Sequence, residues 1–181
     1  MKWKTLGCKI IFENPWFKLQ EDKVIQPDGK EGTYTMIVTP PSVYIVALTE
    51  KDEVYLVGQH RYTTNVFSWE VPAGSSDGED VLKAAKRELW EETGLEAKEW
   101  KEAGTFQVFN GLCNEIGHVF IAKALTQTQE HKRQEEGITE MKTVPVSNVL
   151  ELIRSEELTD ADSITALLKA LLRLHLLPIG V

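Results

Sequence analysis

The sequence predicts an α+β sandwich in which several strands and a few helices share one core. Three observations point there. Apolar, β-branched runs recur at short intervals: 33–39 (TYTMIVT), 42–48 (SVYIVAL), 53–58 (EVYLVG) and 66–71 (VFSWEV). Between residues 80 and 94 the period becomes helical, with Leu82, Ala85 and Leu89 on one stripe. Hydrophobic residues make up 42% of the 181-residue chain, which suffices for one core, so a single domain over 1–181 is expected.

Residues 16–25 read as a strand and 26–32 (QPDGKEG) as a turn. The runs 42–48 and 53–58 are joined by Thr49-Glu50-Lys51-Asp52 and read as a hairpin. The run 66–71 leads into Pro72-Ala73-Gly74 and a polar loop. Asp80 is the expected N-cap of the helix that follows, and Gly94 its C-terminal stop. Further strands are expected at 105–109 and 118–125. Residues 128–137 (TQEHKRQEEG) read as a solvated loop, and helices near 149–156 and 163–175 close the chain.

Charge and cysteine content narrow the function. Twenty Lys and Arg against 28 Asp and Glu give a formal net charge of −8. An acidic chain without a Lys/Arg run is not expected to bind nucleic acid, whose phosphate backbone it repels. Cys8 and Cys113 form neither a disulfide framework nor a zinc pattern, so a reducing, cytoplasmic setting is expected. The N-terminal residues lack an apolar signal core. The apolar stretch near the C-terminus is broken by Lys169, Arg173 and His175, so no membrane span is expected. Cys113 with His118 lacks the companions of a thiol nucleophile.

The segment 87–95 (RELWEETGL) carries the chemistry. On a helix, Glu88 lies three residues from Glu91 and four from Glu92, so the three carboxylates share a face and repel one another. A solvated acidic face is the plain reading of the helix alone. A divalent cation would offset the repulsion, and hard oxygen ligands suit Mg²⁺ or Mn²⁺. Upstream, 69–80 (WEVPAGSSDGED) runs from a strand through a Pro-Ala-Gly turn to Glu79.

Glu79, seven further residues, then Arg87-Glu88-Leu89-Trp90-Glu91-Glu92-Thr93-Gly94-Leu95 resemble the signature of the Nudix hydrolases. The family has five residues between its Gly and first Glu, whereas four separate Gly74 from Glu79, a loop one residue shorter. The resemblance implies an α/β/α sandwich with a mixed sheet. It also implies an Mg²⁺-dependent hydrolase, with Mn²⁺ as a possible substitute, that splits nucleoside diphosphate sugars or ADP-ribose into a nucleoside monophosphate and a sugar phosphate. Other nucleotides, or a nucleotide-binding domain without catalysis, are the alternatives.

The same resemblance implies site residues. Glu88, Glu91, Glu92 and the carbonyl of Ala73 are expected metal ligands. The segment 109–122 resembles the loop and strand that carry a general base in relatives acting on ADP-ribose, which points to Glu115, with Glu91 as a second catalytic candidate. Asn110 stands where those relatives often have Pro, leaving a broader sugar-nucleotide specificity open. Arg61, in Gln59-His60-Arg61-Tyr62, is suited to bidentate phosphate contact, and Glu70 to accepting a hydrogen bond from substrate or from an Arg. Arg87 is expected to orient a carboxylate, and Glu79 to support the loop. Residues 13–17 (ENPWF) resemble the N-terminal arm of dimeric relatives, so residues 1–40 are expected to serve a homodimer. Trp16 and Phe17 are read first as core-packing aromatics, with the dimer interface or the nucleobase as the alternatives.

Overall fold

The structure, a computed structural model, describes residues 2–177. Its contacts divide the described residues into two compact units: 2–40 with 107–116, and 41–106 with 117–177.

The first unit is built on an antiparallel sheet of β1 (Lys4–Glu13), β2 (Lys18–Ile25) and β3 (Glu31–Val38), in that order. The side chain of Asn14 shapes the first link, accepting from the N–H groups of Trp16 and Phe17 at 2.9 and 2.8 Å. Gly29, at φ +88°, shapes the second. The later segment of this unit joins at Ile37, whose N–H donates to Leu112 O at 2.8 Å while its carbonyl accepts from Asn114 N–H at 3.2 Å. Strand β1 lacks a clean hydrophobic alternation, which hid it in the sequence. It is exposed along its whole length and presents Leu6, Ile10, Ile11 and Phe12 to solvent. Trp16, expected in a core, is 75% exposed.

The second unit contains β4 (Ser42–Ala47), β5 (Glu53–Arg61), β6 (Val66–Glu70), β7 (Ala73–Ser75), α1 (Val81–Thr93), β8 (Leu95–Gln107), β9 (Ile116–Gln127), β10 (Ile138–Pro145), α2 (Val149–Arg154) and α3 (Ala161–Arg173). They form two sheets, β10-β5-β6 and β7-β4-β9-β8. The expected hairpin of β4 and β5 is corrected. The turn closes, with Thr49 N–H on Glu53 O at 2.9 Å and one antiparallel bridge between Leu48 and Val54, but the strands then enter different sheets. Strand β4 pairs antiparallel with β7 and parallel with β9. All six of its residues are buried, as a strand covered on both faces requires.

Alternation along β4 creates two cores. Val43, Ile45 and Ala47 pack with Ala84, Ala85 and Leu89 of α1. Tyr44, Val46 and Leu48 pack with Ala166, Leu167, Ala170 and Leu171 of α3. Helix, sheet and helix are therefore layered about one strand, and the sheet is mixed, as expected of an α/β/α sandwich.

Helix α1 begins and ends where its caps were read. Asp80 Oδ1 accepts from Leu82 and Lys83 N–H, each at 3.1 Å. Gly94, at φ +71°, sends its N–H to Trp90 O and turns the chain directly into β8. That strand starts ten residues before the expected 105–109 and ends at Gln107, so 108–109 lie outside it, and β10 was not expected because its polar residues mask the pattern.

Leu89 lies fully buried between α1 and β4. Leu89→Ala is expected to cost about 2–5 kcal/mol of unfolding free energy in urea denaturation.

Candidate functional site

The carboxylates of α1 face β7 and the loop that follows it. Registered on β4 by Tyr44↔Ala73 and Val43↔Gly74, β7 holds a Pro-Ala-Gly turn against the helix. Glu92 Oε2 accepts from Ala73 N–H at 3.0 Å. Glu88 lies so close to Gly74 that a Cβ there would stand 2.3 Å from its carboxylate, so glycine makes room for the acid. The loop is closed by Glu79 N–H on Ser76 O at 2.8 Å, with Asp77 at φ +50° and Gly78 at φ +81°. Two successive residues of positive φ mark a tight, type I′-like turn in this short loop.

Arg87 binds this region together. Its Nε donates to Glu79 Oε1 at 3.0 Å, Nη1 to Glu88 Oε1 at 2.7 Å and Glu91 Oε2 at 2.9 Å, and Nη2 to Ser75 O at 2.9 Å. This is the orienting role expected for it, and Glu79 supports the loop as expected, with Lys83 on its other oxygen at 2.6 Å.

Burial and charge pull the three glutamates apart electrostatically. Each is only 6% exposed. Burial pushes the Glu92 carboxyl up to about 8, against the opposing Ala73 hydrogen bond. Burial also raises Glu88, against the nearby charge of Arg87. Burial would raise Glu91 too, but hydrogen bonds from Lys132 and Arg87 outweigh it and hold its carboxyl below the usual range. Lys132 Nζ is 2.5 Å from Glu91 Oε1.

The donor set therefore divides. Glu88 and Glu92 offer buried carboxylate oxygens against the half-buried Ala73-Gly74 turn, hard donors that fit a divalent cation. Glu91, expected in the same ligand set, has each of its oxygens on a cationic partner. Among the described residues no three His, Cys, Asp or Glu side chains converge as a preformed metal cage.

Arg61 and Glu70 are brought together. Arg61 forks onto Glu70, Nε donating to Oε1 at 2.8 Å and Nη2 to Oε2, and Gln59 Nε2 also donates to Oε2 at 3.4 Å. The Glu70 hydrogen bond holds the Arg61 guanidinium above its usual range, and the charge of Glu92 contributes. A cleft of about 400 Å³ opens beside the pair, lined also by Ser68, Thr159 and Asp160. Asp162 also lines it and accepts from Tyr44 O–H at 3.1 Å, and the next residue, Ser163, accepts at Oγ from Val71 N–H at 3.0 Å. A second cavity of about 470 Å³ runs along 131–141 and is not lined by the α1 glutamates.

Glu115 belongs to the first unit. It is half-buried, and its carbonyl accepts from Val108 N–H at 3.3 Å. Asn110 stabilises the same loop by donating to Gln107 Oε1 at 3.0 Å. His118 lies at a strand end beside Glu102, 3.3 Å away, and both cysteines are free. Sequence reasoning missed Lys132, Asp160 and Ser163. Only Asp160 left a signal, as an acidic N-cap before an apolar helical run.

Comparison with known proteins accords with this geometry. Residues 38–167 match the model of the NUDIX domain, and residues 3–37 that of the nucleoside diphosphate sugar hydrolase N-terminal domain. An ADP-ribose pyrophosphatase of Bacillus subtilis (strain 168) is 31% identical over 166 residues, covering 91% of this chain and 90% of that protein. A methanol dehydrogenase activator of Bacillus methanolicus is 28% identical, covering 90% and 89%. A crystal structure of an ADP compounds hydrolase has the same fold, with a TM-score of 0.83 at 19% identity over 98% of both chains.

Arg87→Ala leaves buried carboxylates without their shared cation. It is expected to lower stability by about 3 kcal/mol in chemical denaturation, and Arg87→Lys to recover little of this, since an ammonium cannot reproduce the fork.

Proposed function

Because the chain belongs to the Nudix family, we propose that it hydrolyses the diphosphate bond of ADP-ribose or a related nucleoside diphosphate sugar, releasing a nucleoside monophosphate and a sugar phosphate. The observation that carries this reading is the set of buried carboxylates packed against the Ala73-Gly74 turn. The match of residues 3–37 to a nucleoside diphosphate sugar hydrolase domain supports the substrate class, as does the 31% identity to an ADP-ribose pyrophosphatase.

Nudix hydrolases use divalent metal ions, and we assign Mg²⁺ here, with Mn²⁺ as substitute. Bound at this site, such an ion would supply positive charge against the diphosphate and make a water molecule more acidic. Glu88, Glu92 and the Ala73 carbonyl would hold it, and Glu91 would complete the ligand set. Arg87 aims Glu88 and Glu91 through its Nη1 hydrogen bonds. Arg61 presents its guanidinium to a substrate phosphate, and Glu70 fixes the direction of that guanidinium. The cleft beside them, with its hydroxyl and carboxylate lining, suits the hydroxyl groups of a sugar. Glu115 is assigned as the base that takes a proton from water, on the resemblance of its loop.

The exposed apolar strand β1 supports a homodimer formed through the arm of residues 1–40. The net charge of −8 disfavours a nucleic-acid partner. Among the described residues no helix is long and apolar enough to cross a membrane. The two free cysteines suit a reducing cytoplasm.

With ADP-ribose and Mg²⁺, chromatography should detect AMP and ribose 5-phosphate, and a chelator should stop their appearance. Glu88→Gln and Glu92→Gln, checked for folding by circular dichroism, are expected to lower kcat by about 100-fold or more. Unchanged turnover in either would refute the ligand assignment. Glu115→Gln should lower kcat with little change in KM. Sedimentation at working concentration should give twice the chain mass, and a monomer would exclude the dimer.

A further inference from the structure

The segment 128–137 is strapped to the C-terminal end of α1 by its main chain. Thr128 donates through both N–H and Oγ1 to Gly94 O, each at 2.8 Å. Lys132 N–H donates to Glu91 O at 2.9 Å. These bonds deliver the Lys132 ammonium to Glu91 Oε1 at 2.5 Å, with the face of Trp90 at 5.9 Å from the same nitrogen.

Glu91 thus has two cationic partners of different kinds. Arg87 is fixed, because it also holds Glu79, Glu88 and Ser75 O, and its side chain is 29% exposed. Lys132 is releasable: its side chain is 42% exposed, and the strap that carries it is held by main-chain atoms that do not depend on the ammonium. A lysine ammonium is a compact, strongly hydrated charge on a flexible stem, so it can leave for water at small cost. A carboxylate oxygen that accepts from an ammonium at hydrogen-bond distance is not free to coordinate a divalent cation through the same lone pair.

Resting on the metal site proposed above, we propose that Lys132 is a positioning residue that competes with divalent cations for Glu91 and thereby sets how tightly the α1 carboxylates bind metal. The competing charge comes from the chain itself. Glu91 stays compensated whichever cation it holds, and metal is captured only when it outcompetes an internal ammonium. The inference predicts that removing the ammonium tightens metal binding. If the ion pair merely anchored the loop, its removal would weaken binding or leave it unchanged.

The test is a titration of Mn²⁺ into wild-type protein, Lys132→Met and Lys132→Arg, reading free Mn²⁺ by electron paramagnetic resonance without substrate. Lys132→Met keeps an unbranched side chain without the charge, and Lys132→Gln is a second neutral variant should the first not fold. The neutral variants are expected to bind Mn²⁺ about three- to tenfold more tightly, in line with one partly exposed ion pair, while Lys132→Arg stays within about twofold of wild type. Equal or weaker Mn²⁺ binding by a folded neutral variant overturns the inference and leaves the metal site intact. Absence of Mn²⁺ binding in wild type overturns the metal reading itself, and the inference with it.

Discussion

The guanidinium of Arg87 meets groups from three consecutive stretches of chain. Ser75 O comes from β7, Glu79 from the loop, and Glu88 and Glu91 from α1. Carboxylates three and four residues apart on a helix repel one another, and burial makes each charge more costly still. One planar fork with its five donors offsets both effects and fixes the carboxylates against the turn that faces them. The mixed sheet supplies the other half of this constraint. With β4 buried on both faces, the register of β7 and the seat of α1 are set by the same strand.

Local chemistry alone revealed α1 and its acids. Asp80 and Gly94 bound the helix because each satisfies orphan backbone groups in a way few other residues can. The carboxylate face follows from helix geometry alone. The long-range pairings were less legible. Strands β4 and β5 look like a hairpin because their turn is one, and nothing local says that β4 then takes β9 as a parallel partner 75 residues later in register, Ser42 on Gly117. Strand β1 was hidden because its apolar residues face solvent on both sides, so no core imprints a period on them.

The site was legible to the same extent. Spacing pointed to Glu88 and Glu92, and the structure places them at the Ala73-Gly74 turn. Lys132 was not legible, because it sits in a polar run, TQEHKRQEEG, with the composition of a solvated loop. Backbone hydrogen bonds from Thr128 and Lys132 to the end of α1, which composition does not encode, make that run part of the site. Arg61 and Glu70 were read separately as polar groups near a substrate. The antiparallel register of β5 on β6, with Val57 against Glu70 and Arg61 against Val66, sets the two on one face, and the long Arg61 side chain reaches along the ladder to Glu70.

The turn at Asp77 and Gly78 bears on how this architecture tolerates changes in chain length. On one side, β7 is pinned to β4 by its register, and on the other, α1 is pinned by the Asp80 cap and by Arg87. The residues between these anchors reverse direction in two steps of positive φ without disturbing either. A deletion there alters the path of the loop and leaves the distance from turn to carboxylates to be set by the anchors. The segment works as an expansion joint, at which length can vary while the spacing on which the acids depend is held from both ends.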